Sequence, residues 1–307
     1  MSTYVVTGCD GFIGGCLVRK LTADGHRVIQ LPSLNATYDF ITSEIPAIRW
    51  DIKGLGGIFH LGAISDTHCH DLRALMDHNV NCTDRIFQWC AWNKVPHVYA
   101  SSAATYGNIP GCSDRDAPES LSPLNYYAWS KNEADVRCMR LIDAGIEPPR
   151  WYACKLFNIY GPGEAHKGAM ASFALQAFNT ARAGDKLRVY MNASKDIQRD
   201  FVYVDDAVDA MIWLMSSQAE SGIYNVGTGE ARGFHEVALT VLDCIGKSSR
   251  LATKFNMPQE MRQGYQFFTE ADITKLRAAG YAGTFRSLEE GIRDYIEALH
   301  GLEAHPV

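Results

Sequence analysis

Tyr127 and Lys131 stand four residues apart in a stretch with a helical pattern, which runs from about Asn125 to Ala144. Residues four apart share one face of a helix, so the phenol and the ammonium are expected side by side. A free phenol ionises near pH ~10, and a fixed cation close by favours its charged form. The pair therefore has the composition of a general acid/base, in which Lys131 lowers the pKa of Tyr127. A half-buried ring beside a solvated lysine is the alternative interpretation.

A serine is predicted to lie close to this pair. Residues Val98 to Ser102 have the composition of a buried strand that ends in two hydroxyls. In an open parallel sheet, ligands bind at the carboxyl ends of the strands. Ser102 is thus expected where Tyr127 arrives, and its hydroxyl is suited to hydrogen-bond a reacting oxygen. A serine that only forms a turn is the alternative.

Three glycines at equal spacing follow the first predicted strand. Thr3 to Thr7 is a short apolar run, Gly8, Gly11 and Gly14 come next, and a helical pattern follows. In this context glycines let backbone amides approach a pyrophosphate, and the helix N-terminus adds partial positive charge. The pattern predicts a dinucleotide-binding turn. A nicotinamide ring bound there would add its positive charge to that of Lys131.

The end of the second predicted strand bears on the choice of dinucleotide. His26 to Leu31 is followed by Pro32 and Ser33, where an NAD-binding protein usually carries an acid that holds the ribose 2′-hydroxyl. Without that carboxylate, a 2′-phosphate is not repelled. NADP is therefore favoured. Because no arginine or lysine follows closely to bind the phosphate, NAD stays open as the alternative.

The composition excludes several classes of partner. The chain has 307 residues, a net charge of −6 and no basic run of the kind that binds nucleic acid or an anionic membrane. No apolar run approaches the ~18 residues that span a bilayer, and the first residues lead straight into a strand pattern rather than a signal peptide. We therefore expect a cytoplasmic protein with no nucleic-acid or membrane partner.

Cysteine and histidine do not form a recognisable metal site. The nine cysteines are scattered without a C-x-x-C pair, as expected of free thiols in a reducing compartment. The stretch Thr67 to His70 contains two histidines and a cysteine but lacks partner ligands at the spacing of a zinc site. No metal is predicted.

The order of the predicted elements indicates an α/β fold, a Rossmann-like doubly wound parallel sheet with a smaller C-terminal α/β substrate lobe. Strands are predicted near residues 3–7, 26–31, 38–41, 58–63, 98–102 and 150–157. Helices are predicted from Leu72 to about Trp92, from Lys167 to about Ala183 and from Ala207 onward. The regular alternation then stops. We expect a dinucleotide-binding domain at 1–162, to which 199–225 returns, and a substrate-binding lobe at 163–198 and 226–307.

Taken together, the glycine turn, Ser102 and the pair Tyr127-x-x-x-Lys131 resemble the extended short-chain dehydrogenase/reductase family over nearly the whole chain. The resemblance implies that Tyr127 is the acid/base, that Lys131 lowers its pKa and holds the nicotinamide ribose, and that Ser102 polarises the reacting carbonyl.

Four longer stretches, 99–107, 166–172, 199–203 and 268–281, resemble the ADP-L-glycero-D-manno-heptose 6-epimerase family, which serves lipopolysaccharide synthesis. This resemblance adds Lys167 as a second catalytic acid/base. Cofactor contacts are implied at Gly8, Gly11, Phe12, Ile13, Gly14, Ser33, Asp39, Phe40, Leu61, Gly62, Ala63, Asn79, Tyr127, Lys131 and Ile159. Contacts with a nucleotide-diphosphate sugar are implied at Ser65, Asn158, Ala169, Gln176, Tyr190, Arg199 and Tyr265.

The implied reaction is an epimerisation in two steps. Hydride leaves a carbinol carbon for the cofactor while Tyr127 or Lys167 takes the hydroxyl proton, and hydride then returns to the opposite face of the ketone. A proton donor is needed on each face, which suits two differently placed groups. The cofactor is regenerated and is expected to stay bound. A homo-oligomer is also expected.

Two alternatives stay open at this stage. Ala169 and Gln176 stand where the heptose enzymes carry serine and histidine, so another nucleotide-sugar 4-epimerase or a reductase of the same family fits as well. A non-catalytic dinucleotide sensor is the rival from a different class. Such proteins usually lose part of the serine, tyrosine and lysine set, and this chain keeps all three.

Overall fold

A computed structural model describes residues 1–42, 54–109, 111–262 and 264–304. Its centre is a six-stranded sheet in which every pairing is parallel, with the strand order β10-β5-β4-β3-β1-β2. These strands are β1 Thr3–Thr7, β2 Arg27–Leu31, β3 Leu55–His60, β4 His97–Ser102, β5 Trp151–Leu156 and β10 Gly222–Val226. The chain therefore has the predicted Rossmann-like α/β fold.

Helices cover both faces of this sheet. The longer helices are α1 Phe12–Ala23, α2 Leu34–Thr42, α4 Cys82–Asn93, α5 Tyr126–Asp143, α6 Phe173–Arg182, α7 Val204–Ser216, α8 Phe234–Cys244 and α11 Leu288–Ala304; the short ones are α3 Leu72–Leu75, α9 Gln259–Arg262 and α10 Thr274–Ala278. Leu17 of α1 and Met211 of α7 belong to one buried cluster, and Phe87 of α4 and Cys138 of α5 belong to another. Every residue of β5 is buried, as expected for a strand covered on both sides.

A second group of elements surrounds its own apolar core. Two three-stranded sheets, ordered β11-β9-β6 and β12-β7-β8, pack with α6, α8 and α11. Their strands are β6 Asn158–Tyr160, β7 Leu187–Asn192, β8 Lys195–Asp196, β9 Gln198–Tyr203, β11 Ala231–Gly233 and β12 Ala252–Asn256. Phe178, Val241 and Ile292 are central to this core. The division into two domains at residue 162 stays a prediction.

Several expectations about single elements were wrong. Residues 38–41, expected as a strand, lie in α2, where the Ser33 hydroxyl accepts from the amide of Ala36 and so starts a helix. The helix expected from Lys167 to Ala183 is instead a 3-10 turn, Ala165–Met170, followed by a separate helix that begins after Ser172. The turn is broken at Gly168, whose φ of +54° suits glycine.

Two further boundaries differ from the prediction. The stretch expected as one helix from Leu72 to Trp92 is interrupted by a π-helical segment, Met76–Asn81. Asn79 lies in this segment. Helix α7 begins at Val204 rather than Ala207. No helix in the described part of the chain is long and apolar enough to cross a membrane.

Candidate active site

Tyr127 lies in the first turn of α5, and its hydroxyl is hydrogen-bonded to that of Ser102 at the end of β4. The side chain of Asn125 caps the helix by accepting from the amide of Ala128 at 2.8 Å. Burial raises the pKa of Tyr127, and the bond to Ser102 partly opposes that rise. The expected lowering of the Tyr127 pKa by Lys131 is not seen: loss of hydration is the larger cause of the shift, and Ser102, not Lys131, opposes it.

Lys131 is buried one turn further along α5, where its ammonium donates to the carbonyl of Ala100 at 2.8 Å. Burial lowers its pKa to about 8, although the charge of Asp135, one more turn along, acts to raise it. The hydrogen bond to β4 fixes the ammonium two residues before Ser102. The structure thus gathers Ser102, Tyr127 and Lys131 at the carboxyl end of one strand.

A fully buried ion pair lies beneath this helix. The ammonium of Lys155 on β5 lies 3.1 Å from the carboxylate of Asp135, and both side chains are inaccessible to solvent. Asp135 also accepts from the hydroxyls of Tyr99 and Ser101, at 3.0 and 2.7 Å. Opposite charges with this many hydrogen bonds can be held in a low-dielectric interior. They link α5 rigidly to β4 and β5.

Asn79 connects the same helix to the segment that follows β3. Its side-chain oxygen accepts from the amide of Ile64 at 2.8 Å, and its nitrogen donates to the carbonyl of Ile64 and to the hydroxyl of Ser130. Ser130 in turn donates to the carbonyl of Tyr127. Asn79 therefore sets the distance between residues 61–65 and the Tyr127 turn.

The glycine turn lies at the carboxyl end of β1. Gly8 has φ of +63°, and a Cβ there would stand 2.7 Å from Gly62, while a Cβ on Gly14 would stand 2.0 Å from the carbonyl oxygen of Gly8. Both positions therefore require glycine. Helix α1 begins after Gly11 without a side-chain cap, which leaves its first amides, including those of Phe12 and Ile13, for an anion. The turn fits the pyrophosphate of a dinucleotide.

The other expected cofactor residues lie after β3, in or beside α2, and in β6. Thr7 accepts from the amides of Leu61 and Gly62, which holds the start of the segment containing Ala63 against β1. Ser33 and Asp39 are exposed, at the cap and on the surface of α2; Phe40 lies in the same helix. Ile159 is half-buried in β6.

Lys167 reaches the glycine turn from the second group of elements. Its ammonium lies over the ring of Phe12, 5.4 Å from the ring centre, and 4.0 Å from the carboxylate of Glu164. Burial lowers the pKa of Lys167, and the charge of Glu164 acts against that. Among the described residues, no hydrogen bond, ion pair or ring contact joins Lys167 to Tyr127 directly.

Arg199 and Tyr265, both expected to contact the nucleotide sugar, lie against each other, with the guanidinium 5.4 Å from the ring centre. The Arg199 side chain is buried, burial lowers its pKa, and it donates to the carbonyl of Gln198. Within the described parts of the chain no carboxylate forms an ion pair with it. Asn108 and Gln266 tie the Tyr265 segment to the loop after Ser102. A buried cation of this kind is suited to an anionic ligand.

The remaining expected substrate residues are more dispersed. Gln176 is exposed on α6, and its amide donates to the carbonyls of Ala169 and Ala171 at 3.1 and 2.8 Å. Ser65 and Tyr190 are exposed, after β3 and on β7, and Asn158 is half-buried in β6. Gln176 of α6 thus contacts Ala169 of the Lys167 turn, whereas Tyr190 makes no described contact with the other expected site residues.

Sequence reasoning missed Glu164, Asp135 and Lys155. Each is completely buried, and Glu164 and Lys155 belong to no spacing pattern that marks them from sequence. Asp135 follows Lys131 by four residues, which was the available signal that a carboxylate lies beneath the lysine. No group of three or more histidine, cysteine, aspartate or glutamate side chains in the described ranges could hold a metal ion.

Comparison with known proteins agrees with this geometry. The model of the NAD dependent epimerase/dehydratase family matches residues 4–227. The ADP-L-glycero-D-manno-heptose-6-epimerase of Fusobacterium nucleatum is 35% identical over 95% of this chain and 96% of its own. The crystal structure of the corresponding enzyme from Helicobacter pylori matches with a TM-score of 0.79 and 25% identity, covering 97% of this chain and 96% of that one. MoeE5 in complex with UDP-glucose and NAD matches with a TM-score of 0.80 and 25% identity, covering 98% and 99%.

Proposed function

The chain belongs to the NAD dependent epimerase/dehydratase family, and within it we propose that this protein is an ADP-glycero-manno-heptose 6-epimerase. It would invert one carbinol carbon of a nucleotide-diphosphate sugar through transient transfer of hydride to a tightly bound nicotinamide dinucleotide. The observation that carries the proposal is the meeting of Ser102, Tyr127 and Lys131 at the carboxyl end of β4, where the Lys131 ammonium donates to the carbonyl of Ala100.

The residues around the glycine turn fit the cofactor. The uncapped amides of α1 would hold the pyrophosphate, and the close approach of Gly8 to Gly62 leaves no side chain in the way. When bound, a nicotinamide supplies the hydride acceptor and a positive charge. Lys131 would hold the nicotinamide ribose, and Asn79 would hold the segment on which that ribose rests.

Tyr127 and Lys167 would exchange protons with the sugar hydroxyl, one on each face of the carbon that inverts. Ser102 donates a hydrogen bond to the oxygen as charge develops on it. Burial raises the pKa of Tyr127, and the positive charge of an oxidised nicotinamide would join that of Lys131 in favouring the phenolate.

Residues outside the cofactor turn would hold the substrate. Arg199 offers a buried positive charge to the diphosphate, and Tyr265 stacks on it from a segment tied to the Ser102 loop. Asn158, Ser65 and Tyr190 complete the proposed contacts. Ala169 and Gln176 lie next to Lys167 and would define the space around the sugar.

NADP is the proposed form of the cofactor. The segment after β2, Pro32 to Thr37, carries no acid to hold a ribose 2′-hydroxyl, and Ser33 already caps α2. NAD is the alternative, since the structure of MoeE5 is a complex with NAD. Mass spectrometry of the nucleotide carried through purification decides between the two.

Incubation with ADP-D-glycero-D-manno-heptose tests the activity, with the product followed by NMR. We expect the 6-epimer to appear without net change in nicotinamide absorbance, because the hydride returns in each turnover. Unchanged sugar would reject this substrate.

A second candidate is another nucleotide-sugar 4-epimerase or a reductase of the same family. It is favoured by Ala169 and by Gln176, whose amide is occupied by backbone carbonyls rather than directed at a sugar. A reductase consumes one NADPH per product, so a stoichiometric loss of absorbance would identify it. A 4-epimerase would show neither that loss nor inversion at the sixth carbon of the heptose.

We also propose a cytoplasmic homo-oligomer. Trp92 of α4 is 67% exposed, and Tyr126 and Trp129 are exposed on the neighbouring α5, which would suit burial against a second copy. Light scattering of the purified protein measures the number of copies directly.

A further inference from the structure

Glu164 is a completely buried carboxylate in the turn that carries Lys167. We infer that Glu164 is a positioning residue for Lys167: its carboxylate fixes the turn and, by its charge, favours the protonated amine. The inference rests on the proposed role of Lys167 as an acid/base.

The carboxylate closes the turn at both ends. One oxygen accepts from the amide of Gly161 at 3.3 Å and from the hydroxyl of Ser172 at 2.6 Å, and the other accepts from the amide of Ser172 at 2.6 Å. Ser172 also caps α6, so β6, the turn and α6 meet at Glu164. Together with the bonds from Gln176 to the carbonyls of Ala169 and Ala171, these contacts fix a turn that is broken at Gly168.

The same carboxylate provides the negative charge that acts on Lys167. The second oxygen lies 4.0 Å from the ammonium, and this charge raises the pKa of Lys167 against the effect of burial. Other elements contribute no second anion to this pairing among the described residues. Helix α1 offers the ring of Phe12 and, beside Gly163, the guanidinium of Arg19. From α11 comes the hydroxyl of Tyr295, which is hydrogen-bonded to Glu164.

Charge and hydrogen bonding can be separated by experiment. Glu164→Gln keeps the size of the side chain and removes the charge, but its amide nitrogen donates and cannot accept, so it also loses a bond from a backbone amide. Ser172→Ala keeps the charge but removes the hydroxyl that Glu164 accepts from. A purely structural role predicts similar behaviour of the two variants. A charge role predicts that only the first changes the titration of Lys167.

The titration of Lys167 is measured by competitive acylation across a range of pH, with peptide mass spectrometry as the readout. An opposite charge at this distance shifts a titration by about 1–3 pH units in partly buried sites. We expect the midpoint of Lys167 to fall by about 1 unit in Glu164→Gln and to stay in place in Ser172→Ala. Circular dichroism verifies that each variant is folded.

Glu164→Asp serves as the second variant if the glutamine variant does not fold. It retains the charge but retracts it by one methylene, so a smaller downward shift is expected. If the titration midpoint of Lys167 is unchanged in the folded Glu164→Gln and Glu164→Asp variants, the inference is wrong. Acylation needs no substrate, so this result is independent of the proposed activity: wild-type protein without epimerase activity would reject the function and leave the shift intact.

The pH dependence of the turnover rate should show the same effect. In Glu164→Gln, the limb of the pH–rate profile that reports Lys167 should shift by as much as the acylation midpoint. Ser172→Ala should lower the rate without moving that limb. A limb that moves in both variants, or in neither, would contradict the separation of charge from shape.

Discussion

The two proposed acid/base groups are positioned in opposite ways. Tyr127 lies on an 18-residue helix backed by a sealed ion pair, whereas Lys167 lies on a broken 3-10 turn and keeps 26% of its side chain exposed. The first position is determined by long regular elements, the second by a few side-chain contacts. Changes behind Tyr127 should therefore affect folding, and changes behind Lys167 should affect mainly turnover.

Tyr127→Phe should have the largest effect on activity. Removal of a positioned acid/base usually costs about 10²–10⁴ in rate. The phenol makes one described side-chain hydrogen bond, so the free energy of unfolding should change by about 1 kcal/mol or less. Tyr126→Phe, an exposed neighbour on the same turn, is the matched control and should keep wild-type rates. Equal rates in the two variants would remove Tyr127 from the mechanism.

Lys155→Met tests the buried ion pair between Lys155 and Asp135 through the free energy of unfolding. Breaking a buried pair leaves Asp135 without its partner and should lower the free energy of unfolding by about 3–5 kcal/mol. Urea denaturation measures it. Combining Lys155→Met with Asp135→Asn removes both charges and should recover much of the loss. A single variant that loses under about 1 kcal/mol would show that the pair does not hold α5 in place.

Lys131 should make stability depend on pH. Burial lowers its pKa to about 8 from 10.5, so the unfolded chain binds the extra proton between these values and stability rises with pH across that window. The total is about 3 kcal/mol at 1.36 kcal/mol per unit. Lys131→Met removes this dependence. The difference in unfolding free energy between wild type and variant should thus favour the wild type increasingly above pH 8. A flat difference would place the lysine in contact with water.

Gln176→Ala should have the smallest effect. It removes two hydrogen bonds that hold the carbonyls of Ala169 and Ala171, and because the Gln176 side chain is exposed, water can replace much of their contribution to stability. Turnover should fall by roughly tenfold, with unfolding hardly changed. Asn179→Ala, at an exposed position on the same helix, is the control. A stability loss larger than the loss in rate would mean that this turn belongs to the rigid part of the protein.

The same contrast explains what the sequence could predict. The glycine turn and helix α5 follow regular sequence patterns, and the strands of the central sheet could be predicted from the same kind of pattern. The Lys167 turn was mistaken for a helix because Gly168 and the bonds between Glu164 and Ser172 have no periodic signal. Residues 38–41 were mistaken for a strand because their aromatic and β-branched side chains outweighed the Ser33 cap. The family resemblance supplied Lys167 itself, but not the carboxylate that holds it.

The central claim is that hydride leaves and returns to the same carbon through the bound nicotinamide. Turnover of the ADP-heptose in deuterated water, followed by NMR of the product, tests it directly. The account predicts that the inverted carbon carries no solvent deuterium, because Tyr127 and Lys167 exchange protons only with the oxygen. Deuterium at that carbon would show that it loses a proton instead, and would contradict the mechanism.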